Sequence, residues 1–476
     1  MLFNSVNFIL LFLPVVVIIY YFLLKKHLIL ASKTFLICVS LVFYSAWNYK
    51  YLALLLISLL VNFTIGSSLN SDFKAKISSK TILIFGILFN LVVLGYYKYT
   101  NFVIDNLNLI FHLNISDKNI LLPLAISFFT FQQITYLVDS YKKLTKEYDF
   151  LNYTLFVTFF PQLIAGPIVH HLEMMPQFNS LKTKVLSHKN LFIGTGIFLF
   201  GLTKKVILAD TLATCANQGF EPNATLTCLE AWITSLSYTF QLYFDFSGYS
   251  DMAIGLAMLF NIVLPFNFNN PYVSLNIQDF WRKWHITLSR FLRDYIYIPL
   301  GGSRNGKNRT LVNIMITFLL GGLWHGAGWT FVFWGLLHGV ALCIFNLWSR
   351  LKIKLNTFLA WFITFNFVNI AWVFFRSETF NDAIKIIKSM FGFSGFALPK
   401  FRHFDVYSDY IHCSDLVLIM LVLSFALIFL FKKNIDNIKP LLKPNWCTLI
   451  VFIAVTTLNI LIIIRNTQTP FLYFNF

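Results

Sequence analysis

Long apolar runs separated by short polar segments extend along almost the whole chain. A helix that crosses a bilayer needs about 20 consecutive, mostly apolar residues, and many of these runs reach that length. The pattern predicts an all-α, polytopic membrane protein with about 10 to 13 transmembrane helices. Its basic clusters cannot all be reconciled with simple hairpins, so we also expect re-entrant or interfacial helices. The first run, Phe8 to Leu24, is followed rather than preceded by lysines, which favours a retained helix over a cleaved signal peptide.

The composition supports this class. Hydrophobic residues make up 57% of the chain and charged residues 12%, about half the charged share of a soluble domain. The excess of 37 Lys+Arg over 20 Asp+Glu would raise the question of nucleic acid in a soluble protein. Here it fits the enrichment of Lys and Arg in cytoplasmic loops, and no nucleic-acid-binding motif is visible. No internal repeat or long linker interrupts the chain, so residues 1–476 are predicted to form a single integral membrane domain.

The cysteines give no sign of a metal site, since they form no CxxC pair and no metal-ligand spacing. Cys215 and Cys228 flank a polar stretch that would suit an extracytoplasmic loop, and whether they form a disulfide stays open at this point. The others, which are Cys38, Cys343, Cys413 and Cys447, are predicted to be small buried residues.

The segment from Asn276 to Thr310 differs from the rest in its charge. Between Arg282 and Arg309 the only acid is Asp294, and the basic residues are Arg282, Lys283, Arg290, Arg293, Arg304, Lys307 and Arg309. On one continuous helix, a single face would carry Arg282, His285, Ser289 and Arg293. A plain cytoplasmic loop would explain the charge alone. Because His285 joins the arginines, we favour a cytoplasm-facing surface that binds a phosphate-bearing donor.

A second histidine, His325, lies among glycines inside an apolar run and directly follows Trp324. An ionisable residue at membrane depth marks a functional site by default, and irregular backbone there is tolerated where it lines a cavity. We therefore expect a broken or closely packed span at His325. A neutral imidazole can accept a proton from a hydroxyl group, which is the work of a general base. The alternative is a structural hydrogen bond between helices, and His338 fits that role better. Neither a Gly-x-Ser-x-Gly elbow nor an HExxH motif is present.

These residues belong to a set of short motifs that resembles the membrane-bound O-acyltransferase family. The similarity is to the bacterial branch that contains the membrane subunits of alginate and peptidoglycan O-acetylation systems. Each motif alone is weak, but their joint order is specific. The motifs are MLFNS (1–5), LFLP (11–14), FFPQLIAGPI (159–168), YFDFSGYSDMAIG (243–255), the block from Asp279 to Gly302, WHGAGW (324–329) and PFLYFNF (470–476).

The resemblance implies that His325 is the catalytic histidine and His285 the second histidine of the family. It also implies a helical bundle around a tunnel. Asp245 and Asp251, which flank a predicted Ser-Gly-Tyr turn, become candidates for site architecture. As intramembrane carboxylates they need partners, which the arginines of 282–293 would supply. With Trp324, Arg282, Arg293 and Ser289, these carboxylates are the predicted substrate-binding residues.

The activity implied is O-acetyl transfer in the bacterial inner membrane, with acetyl-CoA as donor substrate and no bound cofactor. The final acceptor would be a cell-envelope polysaccharide, with peptidoglycan favoured over alginate. A separate periplasmic, esterase-like partner would complete the transfer. Two alternatives remain: D-alanyl transfer from a carrier protein to teichoic acid, and a lipid or glycan flippase, which would need no paired histidines.

Overall fold

The computed structural model of the chain describes residues 2–70, 77–145, 147, 149–164, 166–396, 415–430, 442–465 and 470–472. Within these residues the secondary structure is helical and contains no strand, as the apolar pattern predicts. The residues fall into two compact units. The first comprises Met1–Phe200, Tyr249–Pro265 and Leu442–Asn475, and the second comprises Gly201–Gly248 and Phe266–Leu441.

The first unit begins with a π-helical turn, Phe8–Phe12, that runs into the first α-helix. Its helices are α1 (Leu13–Lys25), α2 (Ile29–Ser45), α3 (Lys50–Asn70), α4 (Ser79–Phe111), α5 (Ile126–Tyr141), α6 (Phe150–Thr158), α7 (Phe160–Leu163), α8 (His171–Asn179) and the greater part of α9 (His188–Thr203). The helix α6 ends at Thr158, and Pro161 lies in the first turn of α7, where its missing N–H is tolerated.

Buried amides connect three helices of the first unit. Asn62 on α3 and Asn90 on α4 exchange side-chain hydrogen bonds of 3.2 and 2.6 Å. Asn62 also bonds to Gln133 on α5, which accepts a further bond of 3.0 Å from Ser58. Between membrane helices, where the hydrophobic effect gives little preference for one neighbour, such polar contacts help to fix which helices pair.

The second unit carries the motifs that the sequence singles out. A π-helical segment, Lys204–Ala209, joins α9 to α10 (Asp210–Gly219). The further helices are α11 (Cys228–Leu259, whose last residues belong to the first unit), α12 (Ile277–Lys283), α13 (Ile286–Leu292), α14 (Lys307–His325), α15 (Trp329–Trp348), α16 (Thr357–Arg376), α17 (Phe380–Met390) and α18 (Asp415–Leu430); α19 (Trp446–Arg465) belongs to the first unit. Short 3₁₀ helices occur at Leu181–Lys184, Pro271–Val273 and Ser349–Leu351.

Seven helices of the described chain are long and apolar enough to cross a membrane. They are Phe8–Lys25, Lys50–Asn70, Ser79–Phe111, His188–Gly219, Trp329–Leu351, Thr357–Arg376 and Trp446–Arg465. Two shorter apolar helices, Ile29–Ser45 and Asp415–Leu430, accompany them. The polytopic all-α class is confirmed. The count of about 10 to 13 crossings stays a prediction.

The apolar run around His325 is a helical hairpin, not one broken span. The helix α14 ends at His325, and α15 begins at Trp329 after a three-residue turn. The two helices pack closely at Gly322 and Gly335. A Cβ atom on Gly322 would lie 2.4 Å from the carbonyl oxygen of Phe331, and one on Gly335 would lie 2.4 Å from that of Phe318. The glycines thus permit the close backbone approach that their density predicts.

The cysteines answer one open question and correct one expectation. Cys228 is a free, buried thiol that donates to the carbonyl of Met390 at 3.2 Å, whereas Cys215 is disulfide-bonded, so these two cysteines do not pair. Cys38 and Cys447 are exposed on apolar helices and Cys343 is half-buried, so the prediction that they are buried is wrong. Cys413, like Ala165 and residues 473–476 of the quoted motifs, lies outside the described residues.

Candidate active site

The region around His285 is a break between two short helices. Trp284 ends α12, His285 adopts a left-handed conformation (φ 43°, ψ 56°), and α13 follows at Ile286. Two backbone hydrogen bonds hold this turn, from Ile286 N–H to the carbonyl of Asn267 and from Asn269 N–H to that of Lys283. A left-handed residue other than glycine is strained, and such strain concentrates at functional sites.

This break overturns the predicted stripe of Arg282, His285, Ser289 and Arg293. Residues spaced by three and four share a face only on one continuous helix, and the break at His285 gives α13 a different direction from α12. His285 is fully buried, whereas Arg282 and Arg293 are exposed, and Arg293 forms a two-bond contact with Asp294 at 2.7 and 3.1 Å. Ser289 is half-buried, and its hydroxyl donates to the carbonyl of Trp284 at 3.4 Å. The arginines therefore do not share a surface with the imidazole.

Asn267 fixes the tautomer of His285. Its Oδ1 lies 3.0 Å from Nδ1 of His285 and accepts from the backbone N–H of Thr287 at 3.3 Å and from its hydroxyl at 3.0 Å. A backbone N–H can only donate, so the amide atom facing it must be the oxygen. Nδ1 of His285 must then carry the proton, which leaves Nε2 as an acceptor. Nε2 has no hydrogen-bond partner among the described residues.

The environment of His285 also weakens its basicity. Burial lowers the pKa of His285 to about 3, because the charged form would lose its hydration. The side chain is therefore neutral at any physiological pH. With Nδ1 committed to Asn267 and a lone pair left on Nε2, it can accept a hydrogen bond inside the protein without becoming charged.

His325 lies at the C-terminal end of α14 in a cage of aromatic rings and is only 3% exposed. Its ring centroid is 4.9 Å from that of Trp324, 5.0 Å from that of Trp334 and 5.2 Å from that of Phe375, all in edge-on arrangements. Aromatic pairs prefer this geometry, so the cage holds the imidazole in a defined orientation while excluding water.

Trp324 connects the two histidines. Its ring contacts His325 at 4.9 Å and His285 at 6.3 Å between centroids. The two imidazoles thus lie no further apart than the sum of these distances, although 40 residues separate them in the sequence. The structure thus brings His285, His325 and Trp324 together. Their chemical roles stay a prediction.

His338 has the structural position that the sequence suggests for it. It is fully buried on α15, and its Nδ1 accepts a hydrogen bond of 3.2 Å from the indole N–H of Trp281 on α12. Trp334 lies 4.7 Å from its ring and so joins this contact to the cage around His325.

Asp245 and Asp251 lie within the continuous helix α11, so the predicted Ser-Gly-Tyr turn between them is wrong. Asp245 does form a buried ion pair, but its partner is Lys205 rather than an arginine, at 2.7 Å. Lys205 lies on the π-helical segment after α9 and also contacts Asp210 at 2.7 Å. Asp251 is buried within the first unit.

Three elements of this site escape the sequence analysis. The aromatic cage residues Trp334 and Phe375 look like ordinary apolar positions, and Asn267 lies in a short polar stretch with no motif. Lys205 did carry a signal. It follows a long apolar run, and an ionisable residue in such a run marks a functional or structural site.

These features define a multi-pass helical membrane protein with two buried imidazoles arranged around one indole. Comparison with known proteins gives the class a family. Residues 42–379 match the sequence model of MBOAT, the membrane-bound O-acyltransferase family. The chain belongs to this family, and it is an acyltransferase.

Several known proteins are similar to this chain over much of their length. A peptidoglycan O-acetyltransferase of Helicobacter pylori is 42% identical, with 100% of this chain and 98% of the relative covered. A probable alginate O-acetylase of Pseudomonas aeruginosa is 39% identical over 89% of this chain and 81% of its own. A teichoic acid D-alanyltransferase of Bacillus subtilis is 29% identical, and the match covers 55% of this chain and 71% of the relative.

Proposed function

We propose that this protein is an O-acetyltransferase of the bacterial inner membrane. It takes acetyl groups from cytoplasmic acetyl-CoA and passes them across the membrane for O-acetylation of a cell-envelope polysaccharide, with peptidoglycan favoured over alginate. The observation that carries the proposal is the buried His325 in its aromatic cage, directly before the turn that joins α14 to α15. The full-length similarity to a peptidoglycan O-acetyltransferase supports the choice of acceptor.

His325 acts as the general base in this proposal. As the acceptor hydroxyl oxygen attacks the thioester carbonyl carbon, its proton passes to the imidazole. The carbon–sulfur bond then breaks, and the imidazolium returns the proton to the departing CoA thiolate. A positioned base of this kind contributes about 10²–10⁴-fold to the rate. The cage of Trp324, Trp334 and Phe375 holds the ring in place through the step.

His285 acts as a positioning residue. Because its pKa is about 3, it is too weak a base to carry the proton of an alcohol at neutral pH. Its Nε2 lone pair, next to Trp324, can instead accept a hydrogen bond from an N–H or O–H group of a bound substrate. Asn267 keeps it in the tautomer that makes this contact available.

The distribution of charge along the α14–α15 hairpin supports a donor that binds from the cytoplasm. Lys307 and Arg309 lie at the start of α14, and Arg350, Lys352 and Lys354 follow α15, so both open ends of the hairpin are basic. Basic ends favour the cytoplasmic side. The tip with His325 then points toward the outer face, where the acceptor is. Arg282, whose side chain has no ion-pair partner among the described residues, is the better donor-binding candidate than Arg293, which Asp294 neutralises.

Transfer to the polysaccharide itself requires a protein that can reach the cell wall. We propose a separate periplasmic, esterase-like partner that receives the acetyl group. A gene for such a protein beside this one would agree with the proposal. A neighbouring gene for a carrier-protein ligase would instead favour D-alanyl transfer, the reaction named for the more distant relatives.

The test measures ester-linked acetate on purified wall glycan from a deletion strain. The strain is complemented with the wild-type chain, with His325→Ala, or with His188→Ala, which makes the same chemical change at the start of α9. Membrane levels of all three are compared by immunoblot. We expect wild type and His188→Ala to restore acetate and His325→Ala to restore less than about 1%.

Each other outcome points elsewhere. If the deletion leaves wall acetate unchanged, the peptidoglycan acceptor is wrong. Loss of D-alanine esters instead of acetate esters from the envelope would establish the alanyl reaction. If His325→Ala restores acetate as well as wild type at equal membrane levels, the catalytic assignment is wrong and the flippase alternative gains support.

A further inference from the structure

A cavity of about 370 Å³ lies at the open end of the α14–α15 hairpin, well away from the histidines along the helix axis. The start of α14 forms one wall with Ser303, Arg304 and Lys307, and the end of α15 forms the other with Asn346, Ser349 and Arg350. None of the lining residues is acidic. Since an α-helix rises 1.5 Å per residue, the 18 residues from Lys307 to His325 place the cavity roughly 27 Å from the catalytic end.

The donors that face this cavity are those of an anion site. The side chains of Arg304 and Lys307 form no hydrogen bond or ion pair within the described chain. Arg350 is held in place by a bond from its guanidinium to Oδ1 of Asn346 at 2.7 Å, which leaves its other N–H groups available. The helix α14 also begins at Lys307 with no side-chain cap on its first N–H groups. Together, three cations and an uncapped helix start suit a phosphate group.

The surroundings of the cavity indicate where that phosphate comes from. Ile344 and Leu347 on α15 and Leu351 in the following 3₁₀ turn are 59%, 47% and 62% exposed and recur at helical spacing, so they form one apolar face. This face lies on the other side of the helix from the residues that line the cavity. In a membrane helix such a face contacts lipid tails. Trp348 follows at the same end, and its indole N–H donates to the carbonyl of Ile353. Tryptophan is typical of the interfacial belt at headgroup level.

We propose that this cavity binds a phosphate ester, and that the source is the headgroup of an anionic lipid in the cytoplasmic leaflet. Arg304, Lys307 and Arg350 would contact the phosphate, and the apolar face of α15 would contact acyl chains of the surrounding bilayer. Negatively charged lipids are enriched in this leaflet, and they attract the basic residues that follow a membrane helix. The site is independent of the acetyl transfer proposed above, and it would hold the open end of the hairpin at a fixed depth.

The test compares lipid binding to the purified full-length protein by native mass spectrometry, with phosphatidylglycerol and phosphatidylcholine as probes. The variant is Arg304→Gln/Lys307→Gln. The matched control is Lys352→Gln/Lys354→Gln, which removes the same charge from exposed residues near α15 that do not line the cavity. We expect wild type and control to bind phosphatidylglycerol in preference to phosphatidylcholine. The Arg304/Lys307 variant should bind phosphatidylglycerol at least about tenfold more weakly.

A second arm separates lipid from soluble phosphates. Binding of CoA, 3′-dephospho-CoA and inorganic phosphate is measured on the same proteins by thermal stabilisation. If the Arg304/Lys307 variant loses CoA affinity while phosphatidylglycerol binding is unchanged, the lipid source is wrong and the cavity serves a nucleotide phosphate. If the control loses lipid as strongly as the variant, the attraction is general surface charge and the proposal fails. Unchanged binding of every probe would also overturn it.

Discussion

The buried cation Lys205 allows a quantitative test of the second unit. Its ammonium group contacts two carboxylates at 2.7 Å, that of Asp245, which is 1% exposed, and that of Asp210, which is 18% exposed. Removal of one partner from a buried ion pair leaves an uncompensated charge and costs about 3–5 kcal/mol. Replacing Lys205 by Met should therefore destabilise the protein by about this amount, because it leaves Asp245 without its counter-charge.

The variant Asp245→Asn should destabilise the protein less than Lys205→Met. It removes one charged hydrogen bond, which is worth about 1.5–3 kcal/mol, but Asp210 still neutralises Lys205. In the double variant Lys205→Met/Asp245→Asn the buried carboxylate is gone, so its stability should exceed that of Lys205→Met alone. Such recovery is the signature of direct coupling.

The assay is thermal unfolding in detergent, followed by tryptophan fluorescence at one scan rate for all variants, with retention of monodisperse protein as a second measurement. We expect the order wild type, Asp245→Asn, double variant and then Lys205→Met, from most to least stable. The reasoning is refuted if Lys205→Met is as stable as Asp245→Asn, or if the double variant is the least stable of the four.

Three further predictions follow from single contacts. Gly322→Ala should lower the free energy of unfolding by about 1–3 kcal/mol or more, because its Cβ would meet a backbone oxygen of α15. In Gly321→Ala the Cβ meets only a leucine methyl at 3.3 Å, so the free energy of unfolding should change by no more than about 0.5 kcal/mol. Thermal unfolding distinguishes the two variants. Asn267→Leu should reduce acetyl transfer at least about tenfold in the complementation assay, and Asn267→Asp, which still accepts from Nδ1, should retain more activity. Burial alone would raise the pKa of Glu147, but its hydrogen bond with His171 and other contacts lower this pKa below 4.5. The ionised carboxylate therefore stabilises the fold above that pH, and this stabilisation is lost as the pH falls through the pKa of the folded state. A Glu147→Gln variant should show a smaller loss of thermal stability on acidification than wild type.

The class of fold and the position of the central residues could be predicted because each rests on local chemistry. Apolar runs of membrane length dictate helices, and the glycines around His325 dictate a close helix crossing. That His285 and His325 belong to one chemical centre follows from the rarity of buried ionisable groups and from family resemblance, whereas their shared contact with Trp324 is known only from the structure. Nothing in the spacing of 40 residues specifies that contact.

The errors share one physical origin. The stripe of Arg282, His285, Ser289 and Arg293 and the turn between Asp245 and Asp251 were both local backbone assignments made without tertiary contacts. His285 takes a left-handed conformation because the backbone of Asn267, distant in sequence, accepts from the next residue. Gly248, conversely, does not end α11. Its missing side chain lets the helix lie against the carbonyl of Gly201, where a Cβ would come within 2.7 Å.

Asn267 and full burial together fix the chemical state of His285. An imidazole that could titrate near neutral pH would be a second candidate for the base. The Nδ1–H of His285 donates to Asn267, and full burial lowers the pKa of His285 to about 3, so His285 stays neutral between pH 5 and 8. Any loss of transfer rate between pH 5 and 8 must then come from another group. A pH profile of transfer that keeps the same midpoint in His285→Gln is the result that this assignment requires.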